Sequence, residues 1–280
     1  MGLKSDSNLS SSSCAGSCAG SCVRFACANR LARITLGDPA RRNALDARML
    51  RELLDCIDRA ARDTTADAVL LAGDGPAFCA GFDLATCAQE PRAVEELLHG
   101  LSACVTALRA IDVPVVVRVQ GAALAGGCAL LTACDFVVVA RDAQLGYPTH
   151  RIGISPAVSV PSLFSRMGAH TRALLVSNEI IDGETALTRG LATHCAEPAA
   201  LDGAIDALVA QLLAKGPQAM RATKRWIREI EERGAGDLGP VAARDEAAMI
   251  AARDASVALA SGEEFATMLR AFWASRSQTR

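Results

Sequence analysis

The 280-residue chain lacks three features that define large classes of protein: long apolar runs, aromatic residues and an excess of basic charge. It has no apolar run of about 20 residues, the length of a membrane-spanning helix, so no membrane span is predicted. Aromatic residues make up only 4% of the chain, and the formal net charge is −2. Base stacking uses aromatic side chains and phosphate binding uses basic ones, so the composition argues against a nucleic-acid partner.

The first 21 residues lack the apolar centre of a secretory signal, and Ser, Cys, Ala and Gly dominate them. We predict a disordered, low-complexity tail over residues 1–21. The chain has 11 cysteines, an odd number spread along its length, which does not suit a disulfide framework and indicates a reducing, cytoplasmic compartment. Cys14, Cys18 and Cys22 recur because an SCAG unit repeats; they are not the close ligand pairs of zinc sites, so no metal site is predicted.

Short apolar runs alternate with helical patterns over most of the chain. Two β-rich runs flank Asn29-Arg30, a dipeptide suited to a tight hairpin turn. Asp46 is placed to cap the first helix. Buried strands are predicted at 68–72, 115–119 and 136–140, and helices at about 92–111 and from Gly126 onward to Asp135. This alternation predicts an α/β fold with parallel strand pairing.

Apolar residues recur at helical spacing after about residue 204, which predicts a helical C-terminal region over residues 205–280. Further helices are predicted at about 217–233, 239–260 and 262–274. The last one carries an apolar stripe suited to self-association: Phe265, Leu269, Phe272 and Trp273.

The stretch from Val115 to Asp135 reads as a strand, a glycine-rich turn and a helix that begins on Gly126-Gly127. Free N–H groups at a helix start can hold an anion or a developing oxyanion. A phosphate loop would need Gly-Lys-Ser/Thr, but Cys128-Ala129 follows the glycines, and the dinucleotide pattern GxGxxG is absent. Close packing of the helix on the strand is the other explanation for these glycines.

Four short motifs in register resemble the enoyl-CoA hydratase/isomerase family, the crotonases. They are RRNALD at 41–46, AFCAGFDL at 77–84, AGGCALLTACD at 125–135 and RIGISPAV at 151–158, and the resemblance covers about residues 22–275. It implies a crotonase-like spiral of ββα units over residues 22–204, followed by helices that support a homotrimer or homohexamer.

The same resemblance implies an acyl-CoA thioester as substrate or ligand, with no permanently bound cofactor. It places an oxyanion hole at the backbone N–H groups of Phe82 and Gly126. It also suggests that Ala80, Gly81 and Asp83 form a loop next to the coenzyme A moiety, although Asp83 could instead hold that loop in place.

The two glutamates that serve a hydratase of this family as general acid and base are replaced. The matching positions hold Ala129 and Thr149, and no glutamate occurs between Glu96 and Glu179. Standard hydration is therefore doubtful, because water addition needs a positioned acid and base.

Four other side chains could act near the acyl group: His99, Tyr147, His150 and Cys128. Each also has an ordinary structural explanation, namely a surface histidine for His99, packing for Tyr147 and a buried inert thiol for Cys128. Three hypotheses stay open. They are a hydratase or isomerase with an altered acid–base set, a family member of different chemistry (thioester hydrolysis, decarboxylation or C–C cleavage), and a non-catalytic acyl-CoA binder.

Overall fold

The computed structural model describes residues 20–84, 87 and 93–234, together with seven positions between 262 and 274. Most of the predicted tail, the predicted helix at 239–260 and the apolar stripe of Phe265, Leu269, Phe272 and Trp273 lie outside the described residues. Self-association through that stripe stays a prediction.

Six strands form the main sheet, in the order β1-β2-β3-β4-β6-β9. The first pair is antiparallel and the other neighbours are parallel. The predicted hairpin is confirmed, and its turn residues Asn29 and Arg30 both have positive φ. These strands are β1 Val23–Ala28, β2 Leu31–Leu36, β3 Ala68–Gly73, β4 Val115–Val119, β6 Phe136–Ala140 and β9 His194–Ala196.

A smaller sheet of three strands carries the turn that precedes Gly126. It joins β5 Ala122–Leu124, β7 Gln144–Gly146 and β8 Ile180–Ile181. An isolated parallel bridge between Cys79 and Ala123 attaches the segment after β3 to β5. The segment after β3 therefore lies beside the strand that leads to Gly126.

Helices cover the sheets, and the α/β class is confirmed. The helices are α1 Ala47–Arg62, α2 Ala93–Ala110, α3 Gly126–Leu131, α4 Val160–Met167, α5 His170–Ser177, α6 Gly183–Thr188, α7 Leu201–Leu213 and α8 Pro217–Gly234. Asp46 caps α1 as predicted, because its carboxylate accepts the Met49 N–H at 2.7 Å. Within the described residues, no helix combines the length and the apolar character that a bilayer span requires.

Helix α3 ends earlier than the sequence predicts. It stops at Leu131, where the Thr132 hydroxyl donates back to the Ala129 carbonyl at 2.7 Å. Asp135 lies beyond the helix, directly before β6. Its carboxylate accepts the Val115 N–H at 2.7 Å and pairs with Lys224 at 2.6 Å. The Asp135 side chain thus joins β4 to α8.

Glu52 on α1 anchors the start of the described chain. One carboxylate oxygen accepts the Ser21 hydroxyl at 2.7 Å and the N–H groups of Cys22 and Val23 at 2.7 and 3.0 Å, while Arg48 binds the other oxygen at 2.8 Å. Burial by itself would raise the pKa of Glu52, but these hydrogen bonds outweigh it and lower the pKa to about 2. Ser21, which the sequence assigned to the tail, is therefore held against α1.

The Asn43 side chain ties the chain before α1 to the loop after β3. Its amide group donates to the carbonyls of Asp74, Ala77 and Phe78 at 3.0, 2.9 and 3.0 Å. Its carbonyl oxygen accepts the Asp38 N–H at 2.9 Å. Asn43 is fully buried and has a φ of 54°, a conformation that asparagine tolerates better than most residues.

Replacing Glu52 with Gln should destabilise the protein in a pH-dependent way. The anchored carboxylate has a lowered folded-state pKa, so its contribution is complete above the ordinary pKa of 4.5 and is lost as the pH falls towards 2. We expect E52Q to lower the free energy of unfolding by about 1–2 kcal/mol at pH 7, measured by urea unfolding. The gap from the wild type should narrow below about pH 4.5 and close near pH 2. The matched change E96Q removes an exposed pair with Arg51 and should have an effect within about 0.5 kcal/mol.

Replacing Asn43 with Asp should cost more, because it removes the amide donor from three carbonyl oxygens while keeping the shape. We expect N43D to lower the free energy of unfolding by at least about 2 kcal/mol. Asn29 also has positive φ but lies exposed in the hairpin turn, so N29D is the matched control, with an expected effect within about 0.5 kcal/mol. Equal effects at the two positions in urea unfolding would contradict the role of the Asn43 amide.

Candidate functional site

Two chain segments come together where the resemblance places the oxyanion hole. The first covers residues 79–83, and the second covers residues 122–126. The Cys79 N–H donates to the Ala122 carbonyl, and the Leu124 N–H donates to the Cys79 carbonyl, both at 3.0 Å. Gly81 has a φ of 92°, and a Cβ at this position would lie 2.9 Å from the Leu124 carbonyl oxygen and 3.6 Å from the Gly126 nitrogen. Only a glycine allows the first segment to lie this close to the second.

The N–H groups of Phe82 and Gly126 are left out of the backbone hydrogen bonds that hold these segments. The Leu45 N–H donates to the Gly81 carbonyl at 2.7 Å, and the Asp83 N–H donates to the Leu45 carbonyl at 3.0 Å. The Phe82 N–H, between these two, takes no part in the pairing with Leu45. On the second segment, Ala125 donates to Gly146 at 2.8 Å. Within the part of the chain that the structure describes, neither the Phe82 nor the Gly126 N–H is bonded to a backbone carbonyl.

Ala125 has an unusual backbone conformation, with φ 48° and ψ −110°. A non-glycine residue in such a region costs of order 1–3 kcal/mol and persists only where surrounding contacts impose it. The bond from Ala125 to Gly146 and the return bond from Ala129 to the Ala125 carbonyl, at 2.9 Å, impose it here. The strained residue directs the chain so that Gly126 starts α3.

Both N–H donors belong to residues on the wall of a cavity of about 360 Å³. The wall is mainly aliphatic and comes from α2, the Leu124–Gly126 turn and the segment after β7. Its large apolar members are Leu84, Leu98, Leu101, Leu124, Ile152, Ile154 and Val158. A cavity of this size and composition suits an apolar ligand group with one polar atom held by fixed donors.

Among the described residues, the cavity wall carries no carboxylate and no imidazole. Its ionisable members are Arg42, Arg151 and Tyr147. Burial raises the pKa of Tyr147 well above its usual value of 10, so the phenol stays protonated. Arg42 and Arg151 are exposed and place positive charge beside the cavity.

The two positions at which the resemblance predicts glutamates offer no proton-transfer group to this cavity. Ala129 is buried within α3 and carries only a methyl group. Thr149 belongs to the cavity wall, but its hydroxyl oxygen is fully buried and has no hydrogen-bond partner among the described residues. A hydroxyl without a neighbouring base is a poor proton acceptor.

Of the four other candidate side chains, the structure brings Tyr147 to the cavity wall but not His99, His150 or Cys128. The His99 side chain is 81% exposed on α2, with its Nε2 3.9 Å from a carboxylate oxygen of Glu95. His150 is exposed and lies outside the cavity wall. Burial raises the pKa of the Cys128 thiol to about 12, so it is not a thiolate at neutral pH.

In the loop assigned to coenzyme A, the structure separates Ala80 from Asp83. Ala80 lies on the cavity wall, whereas the Asp83 carboxylate pairs with Arg41 at 3.0 Å. The same guanidinium pairs with Asp38 and Asp46, each at 2.8 Å. Asp83 therefore holds the loop, and Gly81 provides the close approach to the second segment.

Sequence reasoning missed most of the cavity wall. Leu98 and Leu101 share a face of α2, and their spacing of three residues is the only local signal. Arg42 and Arg151 lie inside recognised motifs but nothing in the pattern distinguishes them from ordinary surface arginines. Groups of three or more His, Cys, Asp or Glu side chains that could hold a metal ion do not occur among the described residues.

Known proteins resemble this chain in sequence and in fold. The family model for enoyl-CoA hydratase/isomerase matches residues 27–235. A putative enoyl-CoA hydratase of Thermus thermophilus is 33% identical over 212 residues, which cover 74% of this chain and 84% of the relative. A probable enoyl-CoA hydratase of Mycobacterium tuberculosis is 35% identical over 213 residues, covering 73% of this chain and 83% of that protein.

A crystal structure of an enoyl-CoA hydratase from Mycobacterium smegmatis has a TM-score of 0.80 and 28% identity, covering 91% of this chain and 96% of that one. The matches in sequence and in fold extend over most of the molecule, including both segments that meet at the cavity. The chain therefore belongs to the enoyl-CoA hydratase/isomerase family, the crotonases.

Proposed function

We propose that this protein binds acyl-CoA thioesters, polarises their carbonyl in an oxyanion hole and lacks the acid–base pair that rapid hydration requires. The observation that carries the proposal is the pair of unbonded N–H groups, of Phe82 and Gly126, on a cavity wall without a carboxylate or imidazole among the described residues. Donors without an internal partner are available to a ligand oxygen.

The thioester carbonyl is the ligand group that would suit the Phe82 and Gly126 N–H groups if both point at one oxygen. Two such hydrogen bonds stabilise negative charge on the oxygen, whether as an enolate or as a tetrahedral oxyanion. The aliphatic wall of Leu98, Leu101 and Ile154 would receive the acyl group. Arg42 and Arg151, exposed beside the cavity, would attract the phosphates of coenzyme A.

Hydration of an enoyl-CoA needs more than this hole. Water has to lose a proton and the α-carbon has to gain one, and each positioned acid or base contributes about 10²–10⁴-fold. Ala129 has no titratable group, and the Thr149 hydroxyl is buried with no hydrogen-bond partner among the described residues. These features favour a binder over a hydratase. Slow hydration is the second candidate, because the relatives are described as enoyl-CoA hydratases.

The family's other reactions, thioester hydrolysis and decarboxylation, share the oxyanion intermediate. Hydrolysis also needs an activated water or nucleophile, and the buried Cys128 thiol, with its pKa raised to about 12, does not supply one. We therefore place these reactions behind binding and slow hydration.

Removing the Gly126 N–H should weaken the hydrogen bonding of a bound thioester. We expect G126P to lower the affinity for butyryl-CoA by about tenfold, in line with the loss of one hydrogen bond to a polarised oxygen. In the wild type, the C=O stretching frequency of ¹³C-labelled butyryl-CoA should fall on binding, and in G126P that fall should be reduced.

The matched control is G126A, because it adds a Cβ facing the same Leu45 and Phe82 side chains but keeps the N–H. Far-UV circular dichroism checks that both variants fold. If G126A and G126P shift the carbonyl frequency equally, the N–H group is not the donor, and the proposed hole is wrong.

Hydration of crotonyl-CoA should be far slower in this protein than in a family member with both glutamates. We expect the double variant A129E/T149E to raise the hydration rate by at least about 10²-fold, because it restores a carboxylate pair. The variant A129Q/T149Q has side chains of the same size without the charge, and it should stay at the wild-type rate. The loss of crotonyl-CoA absorbance measures the hydration rate of the wild type and of both double variants.

Wild-type hydration at about 10 s⁻¹ or faster would overturn this interpretation of positions 129 and 149. Another residue would then have to transfer the protons. A rise in both double variants would show that side-chain volume, and not the carboxylates, limits the reaction.

A further inference from the structure

A second cavity adjoins the one that holds the proposed thioester site, and the two share Val158 in their walls. This residue lies in a 3₁₀ turn, Ala157–Ser159, between β7 and α4, and it forms part of the wall of two cavities. The second cavity has a volume of about 410 Å³ and lies between α2 and α4. A partly buried valine is thus the common wall of two adjoining spaces.

One face of α2 forms a floor for both spaces. Leu98 and Leu101 face the first cavity, and Val105 and Arg109 face the second. These residues follow one another at three or four positions, so they form a single stripe along the helix. From Leu98 to Arg109 the helix rises about 16 Å, which is far more than a butyryl group needs.

Several polar side chains on the wall of the second cavity already form hydrogen bonds or ion pairs with other side chains. Arg109 pairs with Glu231 at 2.8 Å, and the Ser165 hydroxyl bonds the other oxygen of that carboxylate at 3.0 Å. The Ser162 hydroxyl lies 2.6 Å from the Thr132 hydroxyl. A ligand with a charged end would have to break the Arg109–Glu231 pair, whereas a hydrocarbon tail leaves it intact.

We infer that the protein selects long, straight-chain acyl-CoA thioesters, whose tail passes Val158 and lies along α2 in the second cavity. The inference rests on the proposed function, since it takes the thioester carbonyl to lie at Phe82 and Gly126. Each buried methylene group is expected to raise the affinity about fourfold. Val158 sets the width of the passage and determines the specificity for chain length.

The experiment measures the affinity of the full-length protein for butyryl-, octanoyl- and palmitoyl-CoA by calorimetry, below the micelle concentration of each. We expect the affinity to rise along the series up to palmitoyl-CoA. V158W should narrow the passage and reduce the ratio of palmitoyl to butyryl affinity by at least about tenfold.

A second variant avoids the risk that V158W disturbs folding. Ser102 is exposed on α2 and lines the second cavity, so S102W should fill that space from the surface and reduce the same ratio. Val176 is 70% exposed on α5 and lines neither cavity, so V176W is the control for a valine-to-tryptophan change and should keep the wild-type ratio.

The outcomes separate this inference from the function on which it rests. Binding of butyryl-CoA with no gain beyond octanoyl-CoA overturns the long-chain inference and leaves acyl-CoA binding in place. If S102W keeps the wild-type ratio of palmitoyl-CoA to butyryl-CoA affinity, the acyl tail lies elsewhere, and the long-chain inference is also overturned. Failure to bind any of the three thioesters overturns the proposed function itself.

Discussion

The geometry of the site depends on one buried amide. Asn43 donates to three carbonyls of the loop after β3 and accepts the Asp38 N–H, so that the segments on either side of it keep a fixed separation. The loop that Asn43 holds leads directly to Phe82. Arg41, two residues earlier, pairs with Asp83 just beyond Phe82. The two neighbouring side chains thereby hold both ends of the segment that presents the first N–H donor.

This arrangement is compatible with the proposed oxyanion hole, whether or not positions 129 and 149 carry carboxylates. The donors proposed here are backbone groups, and their directions follow from the strand bridges and from the strained conformation of Ala125. No side chain at position 129 or 149 is required to hold them. The carboxylates that the resemblance predicts are, by contrast, single side chains, so Ala129 and Thr149 can stand in their place without a change of fold. Binding and catalysis therefore depend on different parts of the sequence.

The elements of the α/β region could be predicted with small errors because their signals are local. The runs at 23–28, 31–36, 115–119 and 136–140 have the strand bounds that alternation and β-branched residues indicate. Predictions failed where a distant partner decides the outcome. Ser21 is held in place because Glu52, 31 residues away, binds it. Likewise, His99 lies on the predicted helix but on its exposed side. The early end of helix α3 at Leu131 is the exception, since it coincides with a local bond from Thr132 back to Ala129.

The sequence by itself determined the family and the order of the main elements up to residue 140, because each of these depends on residue identity at a known spacing. It also shows that Ala129 and Thr149 occupy the positions where the resemblance predicts glutamates. Only the tertiary structure decided which side chains surround the cavity. The walls come from α2, the turn before α3 and the segment after β7, and these are brought together by hydrogen bonds and packing between positions far apart in the chain. The second cavity has the same origin, since its wall is formed by residues of α2, α4 and α8.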